Sequence, residues 1–262
     1  IPGSVSAKLR KPRCLFWVAG FFLRIIIVFR LSTPSTMLLR IPALLTPEEV
    51  ATCRQTLEQA PWEDGRATAG QLAAQVKHNL QLPLASEAAK TLGEFLLNKL
   101  AHNPLYLSAA LPLKVLPPRF NRYEGGGTYG NHIDNALFAL PGTASKLRSD
   151  VSTTVFLSNP DEYEGGELVI EDTFGHQSVK LAAGDAIVYP GTSLHRVNPV
   201  AKGTRYGSFF WAQSLISSAE KRRLLFDLDQ SIQALTADCP AHPKISALSG
   251  TYHNLLRMWS QT

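Results

Sequence analysis

The sequence predicts an α+β domain whose β-rich centre lies between helical ends, on three observations. From Pro112 to about Leu215 the chain is a series of short β-type runs broken by Gly, Pro, Asn and Asp. On both sides of that stretch, apolar residues recur at helical spacing. The 262 residues, 45% hydrophobic and 18% charged, suit one sizeable core and argue against wholesale disorder. Roughly eight short strands with frequent turns point to a sandwich, jelly roll or barrel.

The elements follow in order. Leu38–Pro42 reads as a first strand. Thr46-Pro47-Glu48-Glu49 combines a capping residue, a first-turn proline and a capping-box glutamate. Val50, Cys53, Leu57 and Ala60 continue that helix, and Pro61 ends it. A second helix spans about Ser86 to His102, with Leu92, Phe95, Leu96 and Leu100 on one side, and a weaker helical stretch covers Thr68 to Asn79. The predicted strands are Leu113–Leu116, Arg119–Tyr123, Val151–Leu157, Glu167–Glu171, Ser178–Leu181, Ala186–Tyr189, His195–Val197 and Arg205–Ala212. Beyond Leu215, Ser217-Ser218-Ala219-Glu220 starts a helix carrying Leu224, Leu225, Leu228, Ile232 and Leu235. A last short helix covers Tyr252 to Trp259.

Six of the 26 basic residues lie in residues 1–36, which hold no acid, so the remainder has 20 basic against 21 acidic residues. The net charge of +5 therefore belongs to the tail, and the body gives no general electrostatic case for nucleic acid. The apolar run Cys14–Phe29 follows a basic stretch but is interrupted by Arg24. Its 16 residues fall short of the roughly 20 that span a bilayer. Residues 1–36 read as an extension outside the working protein, the alternative being a genuine membrane or targeting segment. Three cysteines without a CxxC pair argue against a disulfide scaffold and fit a reducing cytoplasm.

The chemistry concentrates in Tyr123-Glu-Gly-Gly-Gly-Thr-Tyr-Gly-Asn-His132-Ile-Asp134. On an extended strand, residues i and i+2 point the same way, so His132 and Asp134 can grip one metal ion while Ile133 faces away into apolar packing. His195, opening a later strand after Pro190-Gly191-Thr192, supplies a third ligand. Two histidines and one carboxylate form the facial triad of non-haem Fe(II) oxygenases. Alone, a His-x-Asp is weak and reads as a surface turn. Arg205 changes that balance: alternation sets it beside Gly207, Phe209 and Trp211, where a buried cation needs an anionic partner. A dicarboxylate supplies one through bidentate hydrogen bonds. Gly125-Gly126-Gly127 lacks a following helix, so it reads as a flexible lip beside the site rather than a phosphate loop. His176 reads as an exposed hairpin residue, and His78, His102, His242 and His253 lack partner patterns.

Arg119 to Trp211 resembles the prolyl-4-hydroxylase-like branch of the 2-oxoglutarate oxygenases. The shared marks are Tyr123, His132-Ile-Asp134, Gly165-Gly166-Glu167-Leu168, Gly184-Asp185, His195 and Arg205. Within that branch, most of residues 37–262 resembles the bacterial PKHD-type hydroxylases. The resemblance implies a double-stranded β-helix (jelly roll, cupin-like) flanked by N-terminal and C-terminal helices. It divides the chain into a helical segment 37–111, a β-helix core 112–215 and a C-terminal helical extension 216–262. It implies Fe(II), 2-oxoglutarate, O2 and often L-ascorbate, with His132, Asp134 and His195 on the metal, Arg205 on the far carboxylate of 2-oxoglutarate and Tyr123 approaching the same molecule. The implied reaction hydroxylates an amino-acid, peptidyl or siderophore-like substrate and releases succinate and CO2, with a link to iron uptake by analogy. The rival reading is a non-catalytic cupin-like metal-binding or iron-sensing protein, which accounts for the triad but leaves Arg205 unpaired.

Overall fold

The strand Val151–Phe156 is buried along its whole length because both of its faces are covered. Val151 and Val155 pack outward against helices, whereas Phe156 packs inward between two sheets. This and the rest of the architecture come from a computed structural model, which describes residues 37–261 apart from 69–73, 141 and 173–174. The expected extension 1–36 lies outside the described residues.

The fold places an eight-stranded antiparallel sheet opposite a five-stranded one. The larger sheet runs in the order Leu39–Ile41, Ala186–Pro190, Val151–Phe156, Arg205–Ser214, Arg119–Tyr123, Leu80–Gln81 and Glu63–Asp64, with Pro112–Val115 also pairing with the strand at Arg205–Ser214. The smaller runs Gly175–Val179, Leu168–Asp172, His195–Val197, Thr128–His132 and Lys77–His78. From Arg119–Tyr123 onward the chain crosses repeatedly between the two sheets, as in a double-stranded β-helix. Tyr123, Phe156 and Tyr189 of the larger sheet meet Leu168, Ile170 and Val197 of the smaller in one apolar cluster. A second cluster sits on the outer face of the larger sheet, where Leu57, Leu92, Leu96 and Tyr106 cover Val151, Val155, Ala186, Val188 and Phe210. Each such side chain, fully buried, stabilises by roughly 1.5–3 kcal/mol. The rigid sheet pair is what positions the site.

The helices obey their local signals. Thr46 caps Pro47–Glu58 through a complete capping box with Glu49, and Ser86 caps Glu87–Ala101. A helix that the apolar period does not reveal, Pro104–Ala110, is nonetheless announced by Asn103 as cap and Pro104 in the first turn. Of the stretch expected to be helical from Thr68 to Asn79, Thr68 ends a short 3-10 helix, Ala74 is helical and Lys77–His78 forms a strand, while 69–73 lie outside the described residues. The strand expected at Ser178–Leu181 runs from Gly175 to Val179, because its pairing with Leu168–Asp172 overrides the weak local pattern. Short ribbons at Tyr163–Gly165 with Val200–Gly203, and Leu137–Ala139 with Lys146–Arg148, carry too little alternation to be read from sequence.

At the C-terminus, Ser218 caps Ala219–Asp238. The last helix begins at Ile245 rather than Tyr252; Ser and Gly residues in its first turns dilute the apolar signal. Both helices close over Leu111 and Ile216. Arg222 is their anchor: buried to 2% exposure, it donates to the carbonyls of Ile216, Ser217 and Asp150. Arg222→Ala leaves these acceptors unsatisfied and is expected to cost about 3 kcal/mol, read as a lower denaturation midpoint.

Candidate metal centre

Three side chains converge between the sheets. His132 closes the strand Thr128–His132, and His195 opens His195–Val197; the antiparallel register sets the two residues directly opposite each other. Their ring centroids are 4.2 Å apart. Asp134 follows two residues after His132, just past the strand end, and its Oδ1 lies 3.9 Å from His195 Nε2. One ligand atom from each residue lies within 4.8 Å of the others, a spacing that suits a single metal ion. Among the described residues this is the one such group. Ile133 departs from its expected place: it is 58% exposed and lines the mouth of the same pocket. The strand stops at His132, so no packed element receives Ile133.

The surroundings orient all three groups. His132 Nδ1–H donates to the Gly130 carbonyl at 2.8 Å, and His195 Nδ1–H donates to the Ser193 carbonyl at 3.0 Å. Each bond turns Nε2 of its ring towards the shared centre. Ser152 Oγ donates to Asp134 Oδ2 at 2.6 Å, leaving Oδ1 towards the centre. Tyr129 stacks on His132 with centroids 3.6 Å apart, and Tyr189 meets His195 edge-on at 5.3 Å. Gly130 is needed here because a Cβ at that position would lie 2.8 Å from Val76 Cβ, displacing the carbonyl that holds His132. Ser152→Ala is expected to weaken divalent-metal affinity about tenfold without unfolding the protein, measured by competition against a chromogenic chelator.

Burial, and then the neighbouring His195, pushes the His132 imidazole down from its ordinary 6.5 to about 4. The ring is therefore neutral and ready to ligate at pH 7. A histidine depressed on folding gains its proton in the unfolded chain first, so its share of stability is present above about pH 6.5 and lost as the pH falls towards 4. Without metal, the denaturation midpoint is expected to drop across that window, and less steeply in His132→Asn.

Deeper in the pocket lies Arg205, 1% exposed. It opens the strand Arg205–Ser214 and sits opposite Tyr123 in the register. Its guanidinium carbon lies 5.3 Å from the Tyr123 ring and 5.5 Å from that of Phe156. Among the described residues, Nε and Nη1 are buried without a hydrogen-bond partner. Tyr123 is buried as well, and Asn121 Nδ2 donates to its hydroxyl at 3.4 Å. All five residues singled out by sequence line one pocket: Tyr123, His132, Asp134, His195 and Arg205.

The glycine segment behaves differently from the lip that sequence suggests. Gly126 N–H donates to Val200 O, Gly127 N–H to Glu124 O, and Val200 N–H to Gly127 O. Gly125 and Gly126 take positive φ to make the turn. They line a separate groove with Arg66 and His78, outside the metal pocket. His176 is exposed opposite Glu171, as expected.

Residues 118–213 match the 2OG-Fe(II) oxygenase superfamily, and 220–261 match the PKHD-type hydroxylase C-terminal domain. A PKHD-type hydroxylase of Delftia acidovorans is 76% identical over 225 residues, which is 86% of this chain and all of that one. The chain belongs to the PKHD-type hydroxylase family. A second member, PKHD-type hydroxylase PiuC of Pseudomonas aeruginosa, is 58% identical over 86% of this chain and 100% of its own. A crystal structure of a Pseudomonas putida prolyl-4-hydroxylase is 19% identical, with a TM-score of 0.48 over 68% of this chain and 93% of that one. Membership makes the protein a hydroxylase of the 2OG-Fe(II) oxygenase class, for which Fe(II) and 2-oxoglutarate are expected. Among the described residues, no helix is long and apolar enough to cross a membrane.

Sequence reasoning missed Ser152, Tyr129 and Tyr189, which shape the centre. Ser152 lies in a run of β-type residues, and nothing in that run distinguishes a serine facing a carboxylate from one facing the core.

Proposed function

We propose that His132, Asp134 and His195 hold Fe(II), and that Arg205, beside Tyr123, holds the C5 carboxylate of 2-oxoglutarate, so that the protein hydroxylates a small-molecule or peptidyl substrate with release of succinate and CO2. The observation that carries this reading is the Arg205 guanidinium, buried in the same pocket as the His-Asp-His group with two nitrogens that have no hydrogen-bond partner among the described residues. A desolvated cation in such a place is costly unless an anion completes it. The chemistry of the donors fits the metal: two imidazoles and one carboxylate are the set that ferrous oxygenases use, and three ligands on one side leave positions open. Bound there, the iron supplies O2 activation coupled to decarboxylation of the cosubstrate.

This chain's residues do the rest. Gly130 O, Ser193 O and Ser152 Oγ keep the ligands in one orientation. Arg205 fixes the far end of the cosubstrate, and Tyr123 and Tyr189 exclude water around it. No side chain is required as a general base. L-Ascorbate as a supporting reductant, a cytoplasmic setting and a link to iron uptake belong to the same proposal and rest on the resemblance and the cysteine count. The decisive experiment is anaerobic addition of Fe(II) and 2-oxoglutarate to the protein. A weak visible charge-transfer band, absent with Fe(II) alone, is expected; if no band forms at saturating concentrations, the assignment of the pocket is wrong.

A further inference from the structure

Asp134 lies past the end of the strand Thr128–His132, in an irregular segment, so sheet pairing does not fix its orientation. Three hydrogen bonds from residues 149–152 hold that segment. Ser152 Oγ donates to Asp134 Oδ2. Ser149 Oγ donates to the Asn135 carbonyl at 2.6 Å, and Ser149 N–H donates to the Ala136 carbonyl at 3.0 Å. Ser149 and Ser152 are buried, at 6% and 2% exposure, where an unmade hydrogen bond is costly. The same short segment supports the third ligand. Gly191 N–H donates to the Asp150 carbonyl, and Ser193 N–H to the Pro190 carbonyl, both at 3.1 Å. These bonds set the turn whose Ser193 carbonyl orients His195.

Asp150 therefore sits between the supports of two ligands, and its own position is fixed from outside the site. Its carboxylate pairs with Arg148 and accepts from Ser214 N–H. Its carbonyl accepts a second hydrogen bond, from Arg222 Nη2 at 3.0 Å. Arg222 belongs to the helix Ala219–Asp238, and its Nη1 donates to Ile216 and Ser217 just before that helix. One rigid guanidinium thus joins the C-terminal helices to Asp150. From Asp150 to Ser152 is two residues, about 7 Å of extended chain. Arg222 itself lies outside the lining of the metal pocket. We propose that Arg222 is a positioning residue for the metal centre. By holding the Asp150 carbonyl, it sets residues 149–152, which aim Asp134 and steady the turn before His195. The C-terminal helices then serve the reaction without touching metal, cosubstrate or substrate.

This inference rests on the reading of His132, Asp134 and His195 as a metal centre. Its test therefore begins with Co(II), whose visible d–d absorption reports coordination geometry, titrated into the parent and into Asp134→Ala. Arg222→Ala and Arg222→Gln are then compared at a temperature where circular dichroism shows them folded. Each is expected to bind Co(II) about tenfold more weakly than the parent, with an altered d–d spectrum. Arg222→Lys is expected to recover part of the loss, and Ser149→Ala to reproduce it. Leu225→Ala is the control. Leu225 is fully buried in one cluster with Leu111 and Ile216, so its truncation loosens the same helices without removing a bond to Asp150. It is expected to lower the melting temperature but keep the parental affinity and spectrum. Because Arg222 acts through residues 149–152, the losses in Arg222→Gln and Ser152→Ala should not multiply in the double variant. Parental binding and spectrum in Arg222→Gln, an equal loss in Leu225→Ala, or losses that multiply overturn the inference. If Arg222→Ala and Arg222→Gln do not fold, Arg222→Lys and Ser149→Ala carry the same test, and parental binding in both overturns it. Failure of the parent to bind Co(II), or undiminished binding in Asp134→Ala, strikes the metal centre itself, and the two failures are therefore distinct.

Discussion

Arg205→Ala is expected to raise the apparent KM for 2-oxoglutarate more than about a hundredfold while leaving metal affinity little changed. The guanidinium is buried to 1% exposure, and two of its nitrogens have no hydrogen-bond partner among the described residues. Losing a desolvated charge-assisted pair costs roughly 3–5 kcal/mol, because the ligand's carboxylate then enters the same dry pocket without a partner. At about 1.4 kcal/mol per tenfold change, that cost exceeds two orders of magnitude. Arg205→Lys keeps the charge but not the planar fork, so it should recover only part of the loss. A second readout separates binding from structure. Metal and 2-oxoglutarate together should raise the melting temperature of the parent but not of Arg205→Ala, while the unliganded variant should melt no more than slightly below the unliganded parent. Normal saturation of Arg205→Ala, measured as turnover of 2-oxoglutarate to succinate, would remove the main support for the proposed pocket.

His132→Ala, Asp134→Ala and His195→Ala form the second set of large effects. Each should reduce Fe(II) affinity by at least about a hundredfold, since the whole ligand set is three side chains and no fourth His, Cys, Asp or Glu joins them among the described residues. The fold should survive, because the sheets are held by two apolar clusters in which none of the three takes part. Asp134→Ala carries a particular signature: it frees the Ser152 hydroxyl and leaves no carboxylate in the described pocket lining. Equilibrium dialysis with Fe(II) under argon, beside far-ultraviolet circular dichroism of the same samples, tests both halves. Three variants that bind iron like the parent would rule out this centre.

The elements most legible in the sequence were those whose side chains report their own surroundings. Arg119–Tyr123 and His195–Val197 match their predicted spans, because alternation across a sheet with two buried faces leaves an unbroken β-type run. Thr46, Ser86 and Ser218 mark their helices because a cap is a local hydrogen bond that needs no distant partner. Short edge ribbons and the strand at Lys77–His78 were not legible, since pairing with another strand defines them and their own residues show no period.

The candidate site divides in the same way. His-x-Asp, a later His and an isolated Arg in an apolar strand are residue types whose chemistry is readable one by one, and so the sequence alone determined the family and the five residues worth testing. That His132 lies opposite His195, and Tyr123 opposite Arg205, depended on strand register. Only the tertiary structure decided it, because register is a property of pairs far apart in the chain. The same holds for Ser152 on Asp134 and for the exposed Ile133. Those features arise where two sheets face each other, and no local window of sequence contains both sheets.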